Sequence, residues 1–332
     1  MISTILIPAV AIGALGLIFG LILAFAAKVF HVKIDPKIEL ITEALPGANC
    51  GACGMPGCAG YAEAIVNQGL DFSLCAPGGA ETAKKIAAIL GKTASSKERK
   101  VAVIHCQSGG FNNTNLRYEY QGINTCKAAV LLSNGPNLCN FGCVFQNDCV
   151  NACKFDAIKI NEEGIRIIDK DKCTGCGACV KACPRNLIEL VPISKQVHIL
   201  CNSQDKGPVA KKNCGNNTAC IGCGICAKNC PVGAIKIENF RAIIDYNICV
   251  NCGICAQKCP TKAIIDLKKH RGKAFIIEDK CIGCTICAKN CPAKCISGEL
   301  KQIHKVDTSA CIGCEVCVAK CPKDAIEIRY NL

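Results

Sequence analysis

Residues 220–231 read CIGCGICAKNCP: four cysteines separated by two, two and three residues, with a proline at the end. The same order of cysteines and proline recurs at 173–184, 249–260, 281–292 and 311–322. Most of these runs begin about 30 residues after the previous one, and a repeat of that length is typical of small units in series. The sequence therefore predicts a tandem array of small cysteine-containing units in its C-terminal part.

Each unit has the same expected local structure. In one example, the apolar stretch 157–160 is followed by a polar turn and a second apolar stretch at 165–169, which predicts a β-hairpin. The cysteine run then forms a loop, and a short helix carries the fourth cysteine and ends at the proline. Small residues between the cysteines let backbone N–H groups approach the sulfur atoms. A looser run at 139–153 is interpreted as the first member of the array, with Lys154 in place of the proline.

Composition narrows the class of protein. Cysteine accounts for 33 of 332 residues, aromatic residues make up 5%, and tryptophan is absent. The length suggests two or three domains. Disulfide scaffolds of this cysteine density are usually short and secreted, which does not fit a chain of this size. Because the aromatic core is so small, metal centres are expected to contribute to stability. The formal net charge of +13 is compatible with nucleic acid or an anionic membrane as a partner.

The runs resemble those of the bacterial two-cluster ferredoxins over residues 138–332. In that family three cysteines of one run bind a [4Fe–4S] cluster, and the fourth cysteine of the partner run completes it. The resemblance implies three modules and six clusters, with these ligands: Cys139, Cys143, Cys149 and Cys183; Cys173, Cys176, Cys179 and Cys153; Cys220, Cys223, Cys226 and Cys259; Cys249, Cys252, Cys255 and Cys230; Cys281, Cys284, Cys287 and Cys321; Cys311, Cys314, Cys317 and Cys291. Structural zinc is the alternative, but its cysteine pairs usually lie far apart in the chain.

A different group of cysteines precedes the array: Cys50, Cys53, Cys58 and Cys75. Glycines at 51, 54 and 57 permit a tight wrap of the chain around a metal centre. Helices are expected nearby, at about 37–45, 57–67 and 80–90. This motif is similar to the small four-cysteine domain found in the B-subunit family of Rnf complexes. That resemblance implies a seventh [4Fe–4S] cluster, and zinc is again the alternative.

The N-terminal segment from Thr4 to Ala27 contains no charged residue. A helix of this length reaches about 36 Å, enough to cross a bilayer core of about 30 Å, so the segment is interpreted as a single transmembrane helix. Lys28 and Lys33 follow it and no basic residue precedes it. The positive-inside rule then predicts that the soluble part lies on the cytoplasmic side of the inner or cell membrane. A signal peptide is the alternative, but the apolar run is too long and a basic n-region is absent.

Taken in order, these segments resemble the long form of the Rnf B-subunit family over essentially the whole chain. The predicted fold class is α+β: a single N-terminal transmembrane helix, a small helical four-cysteine domain and three tandem ferredoxin-like modules. The expected boundaries are 1–33 for the anchor, 34–92 for the four-cysteine domain, 93–137 for a linker or strand segment, 138–190 for module 1, 191–218 for an insert, 219–268 for module 2 and 269–332 for module 3.

The resemblance implies an electron-input subunit of an ion-translocating ferredoxin:NAD oxidoreductase. Such a subunit accepts electrons from soluble, reduced ferredoxin and passes them to membrane partners, which couple the transfer to NAD reduction and Na⁺ or H⁺ translocation. The expected partners are other Rnf-type subunits, ferredoxin and the bilayer, without nucleic acid. An iron–sulfur subunit of another membrane dehydrogenase, oxidising formate or hydrogen, is the alternative. The sequence has no phosphate-binding glycine loop and no recognised catalytic signature, so no catalytic residue and no complete active site are expected.

Five cysteines lie outside these motifs: Cys106, Cys126, Cys201, Cys214 and Cys295. Cys106 and Cys201 each follow an apolar, strand-like stretch and precede a polar turn with glycine. The first four are therefore a candidate for an eighth cluster, with buried free cysteines as the alternative. Cys295 lies just past a ligand helix and is expected to be unligated. The expected cofactors are seven or eight [4Fe–4S] clusters.

Cluster binding changes the meaning of the net charge. A [4Fe–4S] core with four thiolates carries about −2, so seven clusters would bring the formal +13 to about −1. The 39 lysines and arginines are then interpreted as counter-charges for buried anionic clusters. A nucleic-acid-binding protein would also be expected to offer aromatic stacking surfaces, which the low aromatic content does not favour.

Overall fold

The structure is a computed structural model that describes residues 2–29, 35–93, 98–110, 114–268 and 270–330. Helix α1 spans Ile2–Val29. No helix in the described part of the chain is long and apolar enough to cross a membrane. The predicted transmembrane helix over Thr4–Ala27 is therefore wrong, and the single-pass membrane location derived from it is withdrawn.

The side chains of α1 that the structure describes, over 12–26, are nearly all exposed. Lys33, which supported the expected orientation, lies outside the described residues.

Three helices form the four-cysteine domain: α2 (Pro36–Ala44), α3 (Cys58–Gln68) and α4 (Gly79–Leu90). The last two end at glycines in the left-handed conformation, a common way to terminate a helix. Ile41, Tyr61 and Ile86 are fully buried where the three helices meet. Because Cys58 begins α3 and Cys75 lies in the loop before α4, this core fixes the relative positions of the cysteine loops.

Three modules follow, and the described residues of each form four short strands. Module 1 consists of β1 (Lys100–Ile104), α5 (Cys126–Leu131), α6 (Asp148–Asn151), β2 (Ile158–Ile160), β3 (Arg166–Ile168), α7 (Ala178–Ala182) and β4 (Ile188–Pro192). Module 2 consists of β5 (Val197–Ile199), α8 (Gly207–Asn213), α9 (Ile225–Lys228), β6 (Ile235–Glu238), β7 (Arg241–Ile244), α10 (Ile254–Lys258) and β8 (Ile264–Asp266). Module 3 consists of β9 (Lys273–Ile276), a 3₁₀ turn (Glu278–Lys280), α11 (Ile286–Lys289), β10 (Ile296–Ser297), β11 (Lys305–Val306), α12 (Val316–Lys320) and β12 (Ile326–Arg329).

Strand pairing is the same in all three modules. The first strand pairs antiparallel with the last, as β1 with β4, β5 with β8 and β9 with β12. The two middle strands pair with each other, as β2 with β3, β6 with β7 and β10 with β11. Cysteine sulfurs are part of each small core, since Cys173 and Cys179 pack with Val101 and Ile188 in module 1. The cores are therefore completed by the groups that would carry metal.

The first strands of modules 1 and 2 lie outside the cysteine array. β1 falls in the segment 93–137 and β5 in the segment 191–218, and their pairing attaches both strands to the modules that follow them. What remains of each segment is an insertion between the first strand and the first cysteine run. These insertions carry Cys106, Cys126, Cys201 and Cys214.

Polar contacts join the successive units. His105 Nδ1 at the end of β1 donates to the carbonyl oxygen of Ile199 in β5 at 2.6 Å, which ties module 1 to module 2. Lys268 Nζ and a carboxylate oxygen of Glu315 lie 2.6 Å apart and join the end of module 2 to module 3. The modules thus form a continuous series along the chain.

Candidate metal centres

The loop 220–226 shows how the cysteine runs are shaped. Gly222 and Gly224 have φ of 64° and 72°, the left-handed region that glycine enters without strain. A Cβ at Gly222 would lie 2.6 Å from the carbonyl oxygen of Phe240, so the loop packs directly on the turn between β6 and β7. Gly224 has open space around its Cβ position and precedes helix α9. Two left-handed turns in seven residues curl the loop and bring its cysteines together.

The same close approach recurs in the other runs. A Cβ would collide with backbone atoms of a neighbouring segment at Gly175, Gly283 and Gly313. In the run that begins at Cys249, Asn251 takes this position with φ of 57°. Its Oδ1 accepts the Gln196 N–H at 2.9 Å, and its Nδ2 donates to the Ser194 carbonyl oxygen at 2.8 Å. Each loop is therefore fixed against its module either by a backbone contact at glycine or by an asparagine side chain.

Backbone N–H groups donate hydrogen bonds to cysteine sulfurs, as the small residues in the runs predict. The fourth cysteine of a run accepts from the N–H four residues later at 3.2–3.5 Å in Cys153, Cys183, Cys230 and Cys321. The first cysteine of a run accepts from a strand, since Ala102 N–H donates to Cys173 Sγ and Ala242 N–H to Cys220 Sγ, both at 3.4 Å. Such donors stabilise negative charge on sulfur, which a cluster-bound thiolate carries.

Two cavities in module 3 are each lined by three cysteines of one run and the fourth cysteine of the other, and the second cavity is also lined by Cys295. The first set is Cys281, Cys284, Cys287 and Cys321, and the second is Cys291, Cys311, Cys314 and Cys317. Burial, followed by the neighbouring thiolates of Cys314, Cys311 and Cys291, raises the pKa of Cys317 to about 12. Three cysteines of one run thus meet the fourth cysteine of the other, which is the sharing typical of two-cluster ferredoxins.

Thiols also gather in groups in modules 1 and 2. Burial raises the pKa of Cys226 to about 11 and that of Cys179 to about 12. Part of the rise at Cys226 comes from the neighbouring thiolates of Cys220, Cys223 and Cys259. Part of the rise at Cys179 comes from the thiolates of Cys173, Cys176, Cys149 and Cys153. Burial also raises the pKa of Cys252, and the thiolates that add to it are Cys230 and Cys249. Because metal binds the thiolate, a cluster would reverse these upward shifts.

The four-cysteine domain places its loops through two side chains that the motif does not include. Asn49 Oδ1 accepts the Cys58 N–H at 2.8 Å. Tyr61 Oη donates to the Asp71 carbonyl oxygen at 2.7 Å and accepts the Leu74 N–H at 3.1 Å, which holds the loop that leads to Cys75. Burial raises the pKa of the Cys75 thiol, and Cys58, Cys50 and Cys53 are the thiolates that raise it further. All four cysteines are therefore close enough to interact.

The first site of module 1 is arranged differently from the other sites. One cavity is lined by Cys126, Cys143, Cys149 and Cys183. A second cavity is lined by Cys139, Cys201 and Cys214. Cys106 borders both. The cysteines outside the regular runs thus lie beside those of the looser run.

Two buried arginines beside these cavities were missed by the sequence analysis. Arg185 Nη1 donates to the carbonyl oxygens of Cys139 and Gly142 at 3.0 and 2.7 Å. Arg166 Nη2 donates to the carbonyl oxygen of Phe145 at 2.9 Å, and its guanidinium lies 4.8 Å from the ring centroid. The available signal for Arg185 was a basic residue directly after the Cys-Pro pair of the first regular run.

Cys295 lies beside one of the module 3 sets. Its Sγ is 3.4 Å from the Sγ of Cys291, and it lines the cavity formed by the second set. It stands four residues after the fourth cysteine of its run, a position that alanine occupies after Cys153, Cys230, Cys259 and Cys321. Cys295 is therefore a fifth thiol at a site that already has four.

The donor sets fit iron–sulfur clusters. They consist of cysteines that lie close together, around apolar cavities in module 3 and at the first site of module 1, and backbone N–H groups donate to several of the sulfurs. Within the described ranges, no group of three or more His, Cys, Asp or Glu side chains is placed to hold a single metal ion.

Family models match four parts of the chain. A model described as "Putative Fe-S cluster" matches residues 45–77. A "4Fe-4S binding domain" model matches 166–189, and two "4Fe-4S dicluster domain" models match 219–263 and 274–328. Several [4Fe–4S] domains are therefore present in the three modules, and the helical domain matches a putative iron–sulfur cluster model.

Curated relatives cover most of the chain. It is 46% identical over 247 residues to the B subunit of the Na(+)-translocating ferredoxin:NAD(+) oxidoreductase complex of Acetobacterium woodii, a match that spans 74% of this chain and 73% of the relative. It is 42% identical to the B subunit of the proton-translocating ferredoxin:NAD(+) oxidoreductase complex of Clostridium ljungdahlii, over 74% of this chain and 86% of the relative.

A solved structure is also similar in part. The formate dehydrogenase – heterodisulfide reductase – formylmethanofuran dehydrogenase complex from Methanospirillum hungatei matches with a TM-score of 0.24 and 24% identity, over 56% of this chain and 74% of that chain. A likeness at this level supports no conclusion about function.

Proposed function

The chain belongs to the B-subunit family of ion-translocating ferredoxin:NAD(+) oxidoreductase complexes, the Rnf complexes, and from this premise we propose which cysteines carry its clusters and which donor supplies its electrons. It is an iron–sulfur electron-transfer component of such a complex, with the complex's other subunits as partners. Multiple [4Fe–4S] clusters are its cofactors. The ligand sets, the cluster count and the electron donor are the proposed part.

Six clusters are assigned to the sets that lie together in the structure. The proposed ligands are Cys50, Cys53, Cys58 and Cys75; Cys153, Cys173, Cys176 and Cys179; Cys220, Cys223, Cys226 and Cys259; Cys230, Cys249, Cys252 and Cys255; Cys281, Cys284, Cys287 and Cys321; Cys291, Cys311, Cys314 and Cys317. The observation that carries the assignment is the pair of module 3 cavities, each lined by one complete set. The other four sets are supported by the thiols in each set, which raise one another's pKa.

The chain's own residues determine the reduction potentials that such a series of clusters would have. A bound [4Fe–4S] cluster supplies one-electron chemistry at low potential. The cysteines hold it, and backbone N–H groups such as those of Ala102 and Ala242 donate to its ligating sulfurs. These donors favour the more negative, reduced form and so raise the potential, while burial of Cys226 and Cys317 excludes water and lowers it. Small differences in these hydrogen bonds and in burial would set the order in which the clusters accept electrons.

Soluble reduced ferredoxin is the proposed electron donor. The names of both relatives include ferredoxin and NAD(+). This sequence has no glycine-rich phosphate loop for a nicotinamide cofactor, so NAD reduction is assigned to partner subunits. The two relatives differ in the ion that their names specify, Na⁺ in one and the proton in the other. We assign ion translocation, of Na⁺ or H⁺, to the partner subunits as well.

The test is reduction of the full chain, purified under anaerobic conditions, by reduced ferredoxin, followed by EPR spectroscopy. We expect iron and sulfide in equal amounts, about four of each per cluster, and EPR signals of reduced [4Fe–4S] clusters. Cys284→Ala should lose about four iron atoms, whereas Cys295→Ala, which changes a thiol outside the sets, should lose none. Zinc in place of iron, or clusters that reduced ferredoxin leaves oxidised, would contradict the proposal.

A further inference from the structure

The cysteines around the first site of module 1 divide between two cavities in a way that their spacing does not suggest. The first cavity has four cysteines without counting Cys106, namely Cys126, Cys143, Cys149 and Cys183. The second has three besides Cys106, namely Cys139, Cys201 and Cys214. A [4Fe–4S] cluster in a ferredoxin-type site takes four cysteine ligands. Each cavity therefore holds one complete set only if Cys106 belongs to the second.

Cys126 is well placed to serve the first cavity. It begins helix α5, whose N-terminus is capped by the side chain of the preceding threonine. Its side chain is buried and packs with Val144, next to the cysteine at 143. Cys126 lines the first cavity together with Cys149 and Cys183. Cys126 thus occupies the position that the regular runs give to the first cysteine.

Cys139 lies instead with Cys106 and Cys214. A Cβ at Gly142 would be 3.5 Å from Cys139 Sγ and 3.8 Å from Cys106 Sγ, so both sulfurs border the same residue. Cys139, Cys106 and Cys214 line the second cavity together. Cys201 joins the group because it forms an antiparallel β-bridge with Cys106.

Buried positive charge lies beside these cavities. Arg166 and Arg185 both line the first cavity. Arg185 also donates to the carbonyl oxygens of Cys139 and Gly142, two residues that line the second cavity. A buried cation is costly unless an opposite charge lies nearby. Clusters with a charge of about −2 in the two cavities would supply that opposite charge. The two arginines therefore favour anionic clusters over neutral free thiols at this place.

We propose that Cys106, Cys139, Cys201 and Cys214 bind a [4Fe–4S] cluster between modules 1 and 2, and that Cys126 takes the place of Cys139 as a ligand of the first cluster of module 1. This proposal rests on the iron–sulfur function proposed above. The linking site takes ligands from the insertions of both modules, since Cys106 follows β1 and Cys201 follows β5. A cluster held there would supply one-electron chemistry at the junction of the two modules.

The test is a set of double substitutions in the full chain, purified and reconstituted under anaerobic conditions. Native mass spectrometry counts clusters on folded molecules, and iron and sulfide analysis checks the count. Two substitutions at one cluster remove one cluster, whereas substitutions at two clusters remove two. We expect one cluster lost from Cys126→Ala with Cys149→Ala, and one from Cys139→Ala with Cys214→Ala. We expect two lost from Cys126→Ala with Cys214→Ala, and two from Cys139→Ala with Cys149→Ala.

The outcomes separate the possible failures. The reverse pattern is one cluster lost when Cys126 is substituted with Cys214 or Cys139 with Cys149, and two clusters lost from the other two double variants. That pattern would overturn the exchange of Cys126 and Cys139. A full cluster count in Cys201→Ala and Cys214→Ala single variants would overturn the linking cluster. An unsubstituted chain that takes up no iron and sulfide would refute the iron–sulfur function itself, and with it this proposal.

Discussion

The packing of the 220–226 loop leads to a sharp prediction about two glycines. Both Gly222 and Gly224 have positive φ, so alanine at either position pays about 1–2 kcal/mol for the left-handed conformation. At Gly222 the new Cβ would also lie 2.6 Å from the Phe240 carbonyl oxygen, and relief of that overlap should cost about 1–3 kcal/mol more. Gly224→Ala is the matched control because no atom lies within 4 Å of its Cβ position.

Iron release to a chelator measures this difference. One cluster of the chain should lose its iron in a fast phase of about four iron atoms in Gly222→Ala. If the extra cost of about 1–3 kcal/mol in Gly222→Ala lowers the free energy of loop opening by the same amount, its fast-phase rate should exceed that of Gly224→Ala by about 5- to 150-fold. The remaining clusters should release iron at the unsubstituted rate in both. Equal fast-phase rates in Gly222→Ala and Gly224→Ala would refute the close packing of this loop on the β6–β7 turn.

Three further predictions concern single side chains. Tyr61→Phe removes two hydrogen bonds that hold the loop before Cys75, so it should lower the free energy of unfolding by about 1–3 kcal/mol and speed iron loss from the four-cysteine site. The exposed control Tyr330→Phe should change neither quantity. An unchanged rate of iron loss in Tyr61→Phe would contradict this role. Cys295→Ala should keep the full iron content, because alanine stands at the matching position of most other runs, and loss of a cluster would make Cys295 a ligand. Burial lowers the pKa of His198 to about 4, so the unfolded chain takes up a proton first and stability should fall as pH drops from about 6.5 towards 4. Between pH 7.5 and pH 5.5, the Tm measured under anaerobic conditions should therefore fall less in His198→Gln than in the unsubstituted chain. An equal fall in both would exclude this histidine as a cause.

The sequence was most informative where the cysteine spacing is regular. The repeated run in module 3 predicted which cysteines share a site, because the ferredoxin pattern binds three cysteines of one run and the fourth of the next. The structure lines two cavities with those sets. The strands β1 and β5 were harder to assign, since insertions separate them from their cysteine runs and only the pairing with β4 and β8 reveals their modules.

Other features depend on tertiary contacts that spacing does not contain. Cys126 and Cys139 both lie at irregular distances from their neighbours, so the sequence alone does not determine which of them joins Cys149. The roles of Arg185 and Tyr61 follow from burial beside cysteine loops, and neither residue belongs to a motif. For the apolar N-terminal run, the sequence predicted a feature that the structure does not have. Its composition and length suggested a membrane span that the described helices do not provide.

The most direct test of the electron-transfer role is a count of the electrons that the full chain accepts. Coulometric titration under anaerobic conditions, followed by EPR spectroscopy, should show uptake of one electron per [4Fe–4S] cluster, about eight per chain, at low potential. The Cys139→Ala, Cys214→Ala double variant should accept about seven. A chain that contains the iron and sulfide but accepts no electrons in this range would contradict its function as an electron carrier.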